Sequence, residues 1–261
     1  MIKFFRKIRQ QLVSQNRVSK YLLYAVGEIV LVVIGILIAL QVNNWNVKRV
    51  NCKIETQLLV HLEREYQENY DELIKRREIR YRIMNSANWL LKAKDNNQLL
   101  QSIDSVDYHL AMTLIVPTFD PIRGVTDEII NSGKLQLIQN ANLRVALTTW
   151  LSVTGDLMGE EKQYADFIYK QYSNYLVKNY NVRSLVTILQ NDNKIDDFLE
   201  FKRPEFRIGE NNSSNDIEKL ATSREFENYL SWIMGWNNLL SSVTVNLIST
   251  SEKTLELIDQ Q

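Results

Sequence analysis

Glycine and proline are scarce in this chain: eight Gly and three Pro among 261 residues, with neither type between Ile36 and Val116. Sheets and hairpins need turn residues at short intervals and long helices do not, so the scarcity excludes a strand-rich fold. A single cysteine, Cys52, excludes an intrachain disulfide, and packing must hold the fold together. Cys52 is read as an inert thiol, the alternative being a disulfide across a dimer. Histidine occurs twice, as His61 and His109. Neither falls in the E-x-x-H spacing by which di-iron bundles present a Glu and a His on one face. H-E-x-x-H, paired cysteines and G-x-S-x-G are all missing. No catalytic set, metal site or cofactor is therefore expected.

Net charge is also absent, with 31 Lys plus Arg against 31 Asp plus Glu. That balance conceals a separation. Residues 1–20 hold six basic side chains and no acid, whereas residues 43–261 hold 25 basic and 30 acidic ones. A mildly acidic main body is a poor partner for nucleic acid, which requires a basic face.

What the chain does have is one long apolar run. Tyr21–Val42, YLLYAVGEIVLVVIGILIALQV, contains Glu28 and Gln41 as its only strongly polar side chains. As a helix at ~1.5 Å per residue it reaches ~33 Å, enough to cross a bilayer core of about 30 Å. Basic residues are concentrated ahead of it, and only Lys48, Arg49 and Lys53 follow closely. The bias predicts a cytoplasmic basic arm over 1–20, a transmembrane helix over 21–42 and an extracytoplasmic domain over 43–261. In a Gram-negative cell this is an inner-membrane, single-pass protein with a periplasmic C-terminal domain. Lys20 and Trp45 mark the two interfaces. A cleaved signal peptide lacks support, since no A-x-A-like site follows, and a buried core helix would not carry a basic arm. The arm, MIKFFRKIRQQLVSQNRVSK, is read as a short amphipathic helix on the anionic inner leaflet.

Within the span, Gly27, Leu31, Gly35 and Ala39 recur every four residues, with Glu28 beside them. Small residues at that spacing let helices approach closely, and an intramembrane carboxylate ordinarily faces protein or water. Gly27, Glu28, Gly35 and Ala39 are thus the expected packing face, for a homodimer or for a membrane-protein partner. The plainer account is that small residues are common in spans and Glu28 reaches the interface.

Beyond the span the pattern predicts an antiparallel bundle of long helices. A stalk-like helix over 43–94 turns Ile54, Leu58, Leu62, Tyr66, Leu73, Ile83, Ala87 and Leu90 inward, its Glu- and Arg-rich middle being solvated or ion-paired. Asp95-Asn96-Asn97 is the first turn. Residues 98–116 are helical, with Leu99, Leu100, Ile103, Val106, Leu110 and Leu114 inward. Pro117–Val125 is a loop. Thr126 caps a short helix stopped by Gly133, and Asn140 caps a long one over 141–175, with Leu143, Leu147, Trp150, Leu157, Tyr164, Ile168 and Tyr172 inward. Residues 191–215 form a polar loop. Thr222 and Glu225 make a capping box for a last helix towards Asp259, with Phe226, Leu230, Ile233, Trp236, Leu240, Val243 and Leu247 inward.

Other features have bland explanations. His61 and Glu65 are a polar pair on a charged helix. Glu160-Glu161 and Asp196-Asp197 diverge by about 100° on a helix and read as solvated surface. Gly155 and Gly159, without a Lys-Ser/Thr ending, are no phosphate loop and suggest close helix approach. Trp232 and Trp236 are read as core, with a ligand-binding aromatic cleft as the alternative.

The segment KYLLYAVGEIVLVVIGILIALQVNNWN and the later TDEIINSGKLQLIQNANLRVALTTW resemble an uncharacterised family of bacterial single-pass membrane proteins, a domain of unknown function. The pattern falls here on Ser132 to Leu135, Leu137, Ile138, Asn140, Leu143 and Arg144. The resemblance implies membrane location and an α-helical outer domain, and brings no activity, cofactor or catalytic residue. The function expected is a membrane-anchored, non-enzymatic interaction module of the cell envelope. The alternatives are a ligand-sensing or accessory domain acting through a membrane partner, or an envelope enzyme.

Overall fold

A computed structural model of the chain describes residues 18–101, 103–191 and 217–260. The basic arm, apart from its last three residues, and nearly all of the expected polar loop over 191–215, with Asp196-Asp197, lie outside them. Every regular element among the described residues is helical. In chain order these are α1 Val18–Asp95, α2 Ile103–Thr113, α3 Gly124–Asn131, α4 Ala141–Phe167, α5 Ser173–Asn179, α6 Val182–Asn191, α7 Ile217–Thr222 and α8 Arg224–Asp259. The chain forms two compact units, Met1–Gln57 and Leu58–Gln261.

In the first unit nothing among the described residues covers the apolar stretch of α1: its most hydrophobic window is 0% buried. Leu23, Ile29, Leu31, Ile38 and Val42 all stand exposed, around the whole circumference. A core helix of a water-soluble domain would be mostly covered, so the apolar run is not the core of this fold.

The second unit is a bundle whose directions follow from its contacts. Tyr70, Arg80 and Lys94 of α1 bond Glu252, Thr244 and Glu227 of α8 in that order, so the two helices run antiparallel. The segment from α2 to α3 descends along α1, with His109 beside Ser86, Ile122 beside Asn69 and Thr126 beside Glu65. α4 then rises beside α1 and packs extensively on α8. The result is an up-down-up-down arrangement in which the second leg is only half helix.

Its helices share a 3.5-residue rhythm. On α8 the buried positions Phe226, Leu230, Ile233, Asn237, Leu240, Thr244, Leu247, Ser251, Thr254 and Ile258 alternate steps of four and three. On α4, Leu143, Leu147, Trp150, Thr154, Leu157, Glu161, Tyr164 and Ile168 do the same. This heptad pattern keeps one seam of each helix facing its neighbours along its full length. After Ile168 the α4 seam would next bury Gln171, yet Tyr172 is buried and Gln171 exposed. A π-turn at Ile168–Tyr172 absorbs the extra residue, and Leu176 resumes the seam.

Helix ends have local causes. Asn97, at φ 54°, ends α1: Gln98 N donates to Ala93 O and Asn97 N to Lys94 O, the paired bonds of a Schellman cap. Gly133, at φ 75°, follows α3, a backbone angle that favours glycine. Asn140 caps α4 as expected, its side chain accepting from Asn142 N and Leu143 N. Two expected caps are displaced. α3 begins at Gly124, two residues ahead of Thr126, and α8 is capped by Ser223, whose Oγ accepts from Phe226 N, while Thr222 bonds back to Glu218 O. Leu100 and Ile103 are exposed, because a 3₁₀ turn at Leu99–Gln101 precedes α2 and changes the facing of that stretch.

His109 is half-buried, its Nδ1 3.1 Å from Ser86 Oγ and its ring stacked on Trp89 at 4.2 Å. Burial pushes its pKa below the usual value. The unfolded chain then takes up a proton near pH 6.5 that the folded chain refuses. Stability is expected to fall as pH drops below about 6.5 and to stop falling, on this group's account, below its folded pKa. Denaturation midpoints across that range should show a shallower decline for His109→Gln than for the wild type.

Candidate functional site

The residues expected to form the membrane packing face lie in the first unit. At Gly27 and Gly35 no atom lies within 4 Å of where a Cβ would sit. Ala39 and Leu31 are exposed, and Glu28 is half-buried. The helix therefore gathers small residues on an exposed side, with half-buried Glu28 beside them. Lys20 lies in the first turn of α1. Trp45 is 63% exposed, with the Arg49 guanidinium 5.3 Å from its ring centroid.

The chemistry of the second unit is concentrated in a buried polar layer. Arg80, fully buried on α1, is ion-paired with Glu161 on α4. It also donates to Thr244 Oγ1 on α8 at 2.5 Å and to Pro117 O at 3.4 Å. The second oxygen of Glu161 accepts from Phe119 N at 2.8 Å. Burial pushes the Glu161 carboxyl up and the Arg80 guanidinium down, and their mutual contact opposes both shifts. One turn along, Asn237 donates to Tyr164 Oη at 2.9 Å.

Glu161 is not the solvated carboxylate expected of a Glu-Glu pair; Glu160 takes the outer position and Glu161 the seam. The signal for this was positional. Steps of seven from Leu147 through Thr154 arrive at Glu161, and steps from Tyr66 through Leu73 arrive at Arg80. Both are polar residues at core positions, where a charge survives only with a partner.

Two further polar residues of α1 hold the non-helical second leg. Asn69 exchanges two hydrogen bonds with the Ile122 backbone, at 2.7 and 2.8 Å. Glu65 accepts from Val125 N at 2.6 Å, Thr126 N at 3.0 Å and Thr126 Oγ1 at 2.5 Å. Its carboxylate occupies the positive end of α3 and replaces a local cap. Glu65 is thus buried in the domain rather than paired with the exposed His61. A buried segment without regular structure needs its peptide groups satisfied, and side chains of α1 and α4 supply the partners.

The outer surface carries a groove of about 580 Å³ between α4 and α8. Phe167, Tyr229, Trp232 and Trp236 line it together with Asp166, Glu225 and three amide side chains. Trp232 is 62% exposed and Trp236 half-buried, so neither is the core residue expected. Asn237 takes the seam position instead, and Thr244 likewise replaces Val243. Gly155 and Gly159 also differ from expectation: no atom lies within 4 Å of a Cβ built at either, so they mediate no close helix approach. Among the described residues no group of three or more His, Cys, Asp and Glu converges as a metal site would require.

A family of unknown function, DUF6090, matches residues 28–196. The chain belongs to this family. The match takes in Glu28, the apolar helix from there on, the 114–126 segment and both charges of the buried pair. It stops short of α7 and α8, so Thr244, Asn237 and half of the groove lie beyond it. No curated protein and no solved structure matches the chain.

Proposed function

We propose that this DUF6090 protein is a membrane-anchored, non-enzymatic interaction module of the bacterial envelope. The observation that carries the reading is the uncovered apolar helix of the first unit, hydrophobic on every side and joined to a domain with a complete core of its own. An apolar surface of that extent calls for lipid or a partner. The excess of Lys and Arg before the span supports a cytoplasmic N-terminus and a periplasmic helical domain. Gly27, Glu28, Gly35 and Ala39 supply the face through which the span meets a second copy or another membrane protein. Lys20 and Trp45 serve as interface anchors. Main-body acidity argues against nucleic acid as a partner.

Blue-native electrophoresis of the full chain in mild detergent tests the reading. The wild type is expected above monomer mass, and Glu28→Leu and Gly35→Leu at monomer mass. Oxidative crosslinking through Cys52, the sole cysteine, reports whether the neighbour is a second copy. Wild type and both variants running as the same monomer would remove the packing face.

A further inference from the structure

The groove between α4 and α8 belongs wholly to the second unit, and its argument is independent of membrane anchoring. Three of its four aromatic rings, Phe167, Tyr229 and Trp236, are braced by neighbouring rings. Tyr229 lies 5.5 Å from buried Tyr172 and 5.1 Å from Tyr175, Trp236 lies 6.4 Å from buried Tyr164, and Phe167 lies 5.9 Å from Tyr229. Such rings keep their positions without a ligand, which lowers the ordering cost of binding one. Trp232 projects its indole into water, and the packing of the domain gives no reason for it.

Charge chooses among ligands. Asp166 and Glu225 line the groove and, among the described residues, no Lys or Arg does. Lys170 pairs with Asp166 at 2.9 Å from outside the lining, with both side chains more than half exposed. Such a surface pair is weak and readily exchanged. Aromatic faces attract cations, and more strongly where carboxylates flank them. The volume suits a small molecule.

We propose that this groove binds an organic cation, an ammonium group seated against the Trp232 and Trp236 faces with Asp166 and Glu225 as counter-charges. An anionic ligand is opposed by the same carboxylates. A neutral saccharide could stack on the rings but would draw nothing from the charge.

The test is a tryptophan-fluorescence titration of the full chain in a polyoxyethylene detergent, which carries no sugar headgroup. Tetramethylammonium, choline and spermidine are the probes, with glucose and N-acetylglucosamine beside them. A saturable change with an ammonium probe is expected, weakened about tenfold by Trp232→Ala. Asp166→Asn with Glu225→Gln should weaken binding several-fold and flatten its salt dependence. Tyrosine circular dichroism should report unchanged folding of Trp232→Ala, since that side chain is exposed. The proposal is overturned if no ammonium probe saturates, if Trp232→Ala binds as the wild type does, or if only the sugars bind.

Discussion

Glu161→Gln is expected to destabilise the fold by about 3–5 kcal/mol, the range for breaking a buried ion pair by removing one partner. Total stabilities of domains are about 5–15 kcal/mol, so the loss should be plain in chemical denaturation followed by tryptophan fluorescence. The amide retains an acceptor for Phe119 N and nearly the same volume; the charge is what disappears. Arg80 is then a buried guanidinium with no counter-charge, and it cannot discard its proton. Arg80→Met should cost less at neutral pH, because the carboxyl left behind can take up a proton. That asymmetry has a pH signature. A lone buried Glu161 has a folded pKa above its unfolded value of about 4.3. The folded state of Arg80→Met therefore binds more protons, and its stability is highest below pH ~4.3 and declines as pH rises through the folded pKa. Combining Arg80→Met with Glu161→Gln should recover most of the loss, since neither charge remains. Equal costs for the two single variants at neutral pH would contradict this account.

Trp150→Ala is expected to cost about 3–5 kcal/mol, as large-to-small changes of buried aromatics do. Trp150 is fully buried on the α4 seam, 5.1 Å from the Tyr66 ring and 6.4 Å from Phe119. It thereby joins α1, α4 and the non-helical segment, and its loss opens a cavity where the three meet. Trp150→Phe should cost less than half as much, since it keeps a ring there and removes an indole N–H that has no hydrogen-bond partner among the described residues. Trp232→Ala, the same substitution on an exposed helix face, should fall within about 0.5 kcal/mol of wild type. Thermal or chemical unfolding of the three variants distinguishes these cases directly; similar losses for Trp150→Ala and Trp232→Ala would refute the assigned placements.

Local sequence does not separate those two tryptophans. Both sit at helical spacing among apolar neighbours, and periodicity favoured core for each. The α8 helix in fact carries two adjacent stripes, Phe226-Leu230-Ile233-Asn237 and Tyr229-Trp232-Trp236. The expected inward face joins Trp236 to Phe226, Leu230 and Ile233, yet packing gives that place to Asn237. What selected it is the partner surface: Tyr164 presents a hydroxyl that Asn237 satisfies, and Arg80 presents a donor that Thr244 accepts.

The sequence by itself determined the helical class, the long apolar helix, the first turn at Asn96-Asn97, the Asn140 cap and the inward face of α4. Each of these depends on residues within a few positions of one another, through hydrogen bonding, backbone freedom or the period of the helix. Tertiary structure alone decided which partners the buried polar residues meet. Arg80 and Glu161 are 81 positions apart, and Glu65 and Thr126 are 61. A buried charge is tolerable only where folding delivers its partner, and no local pattern records that delivery.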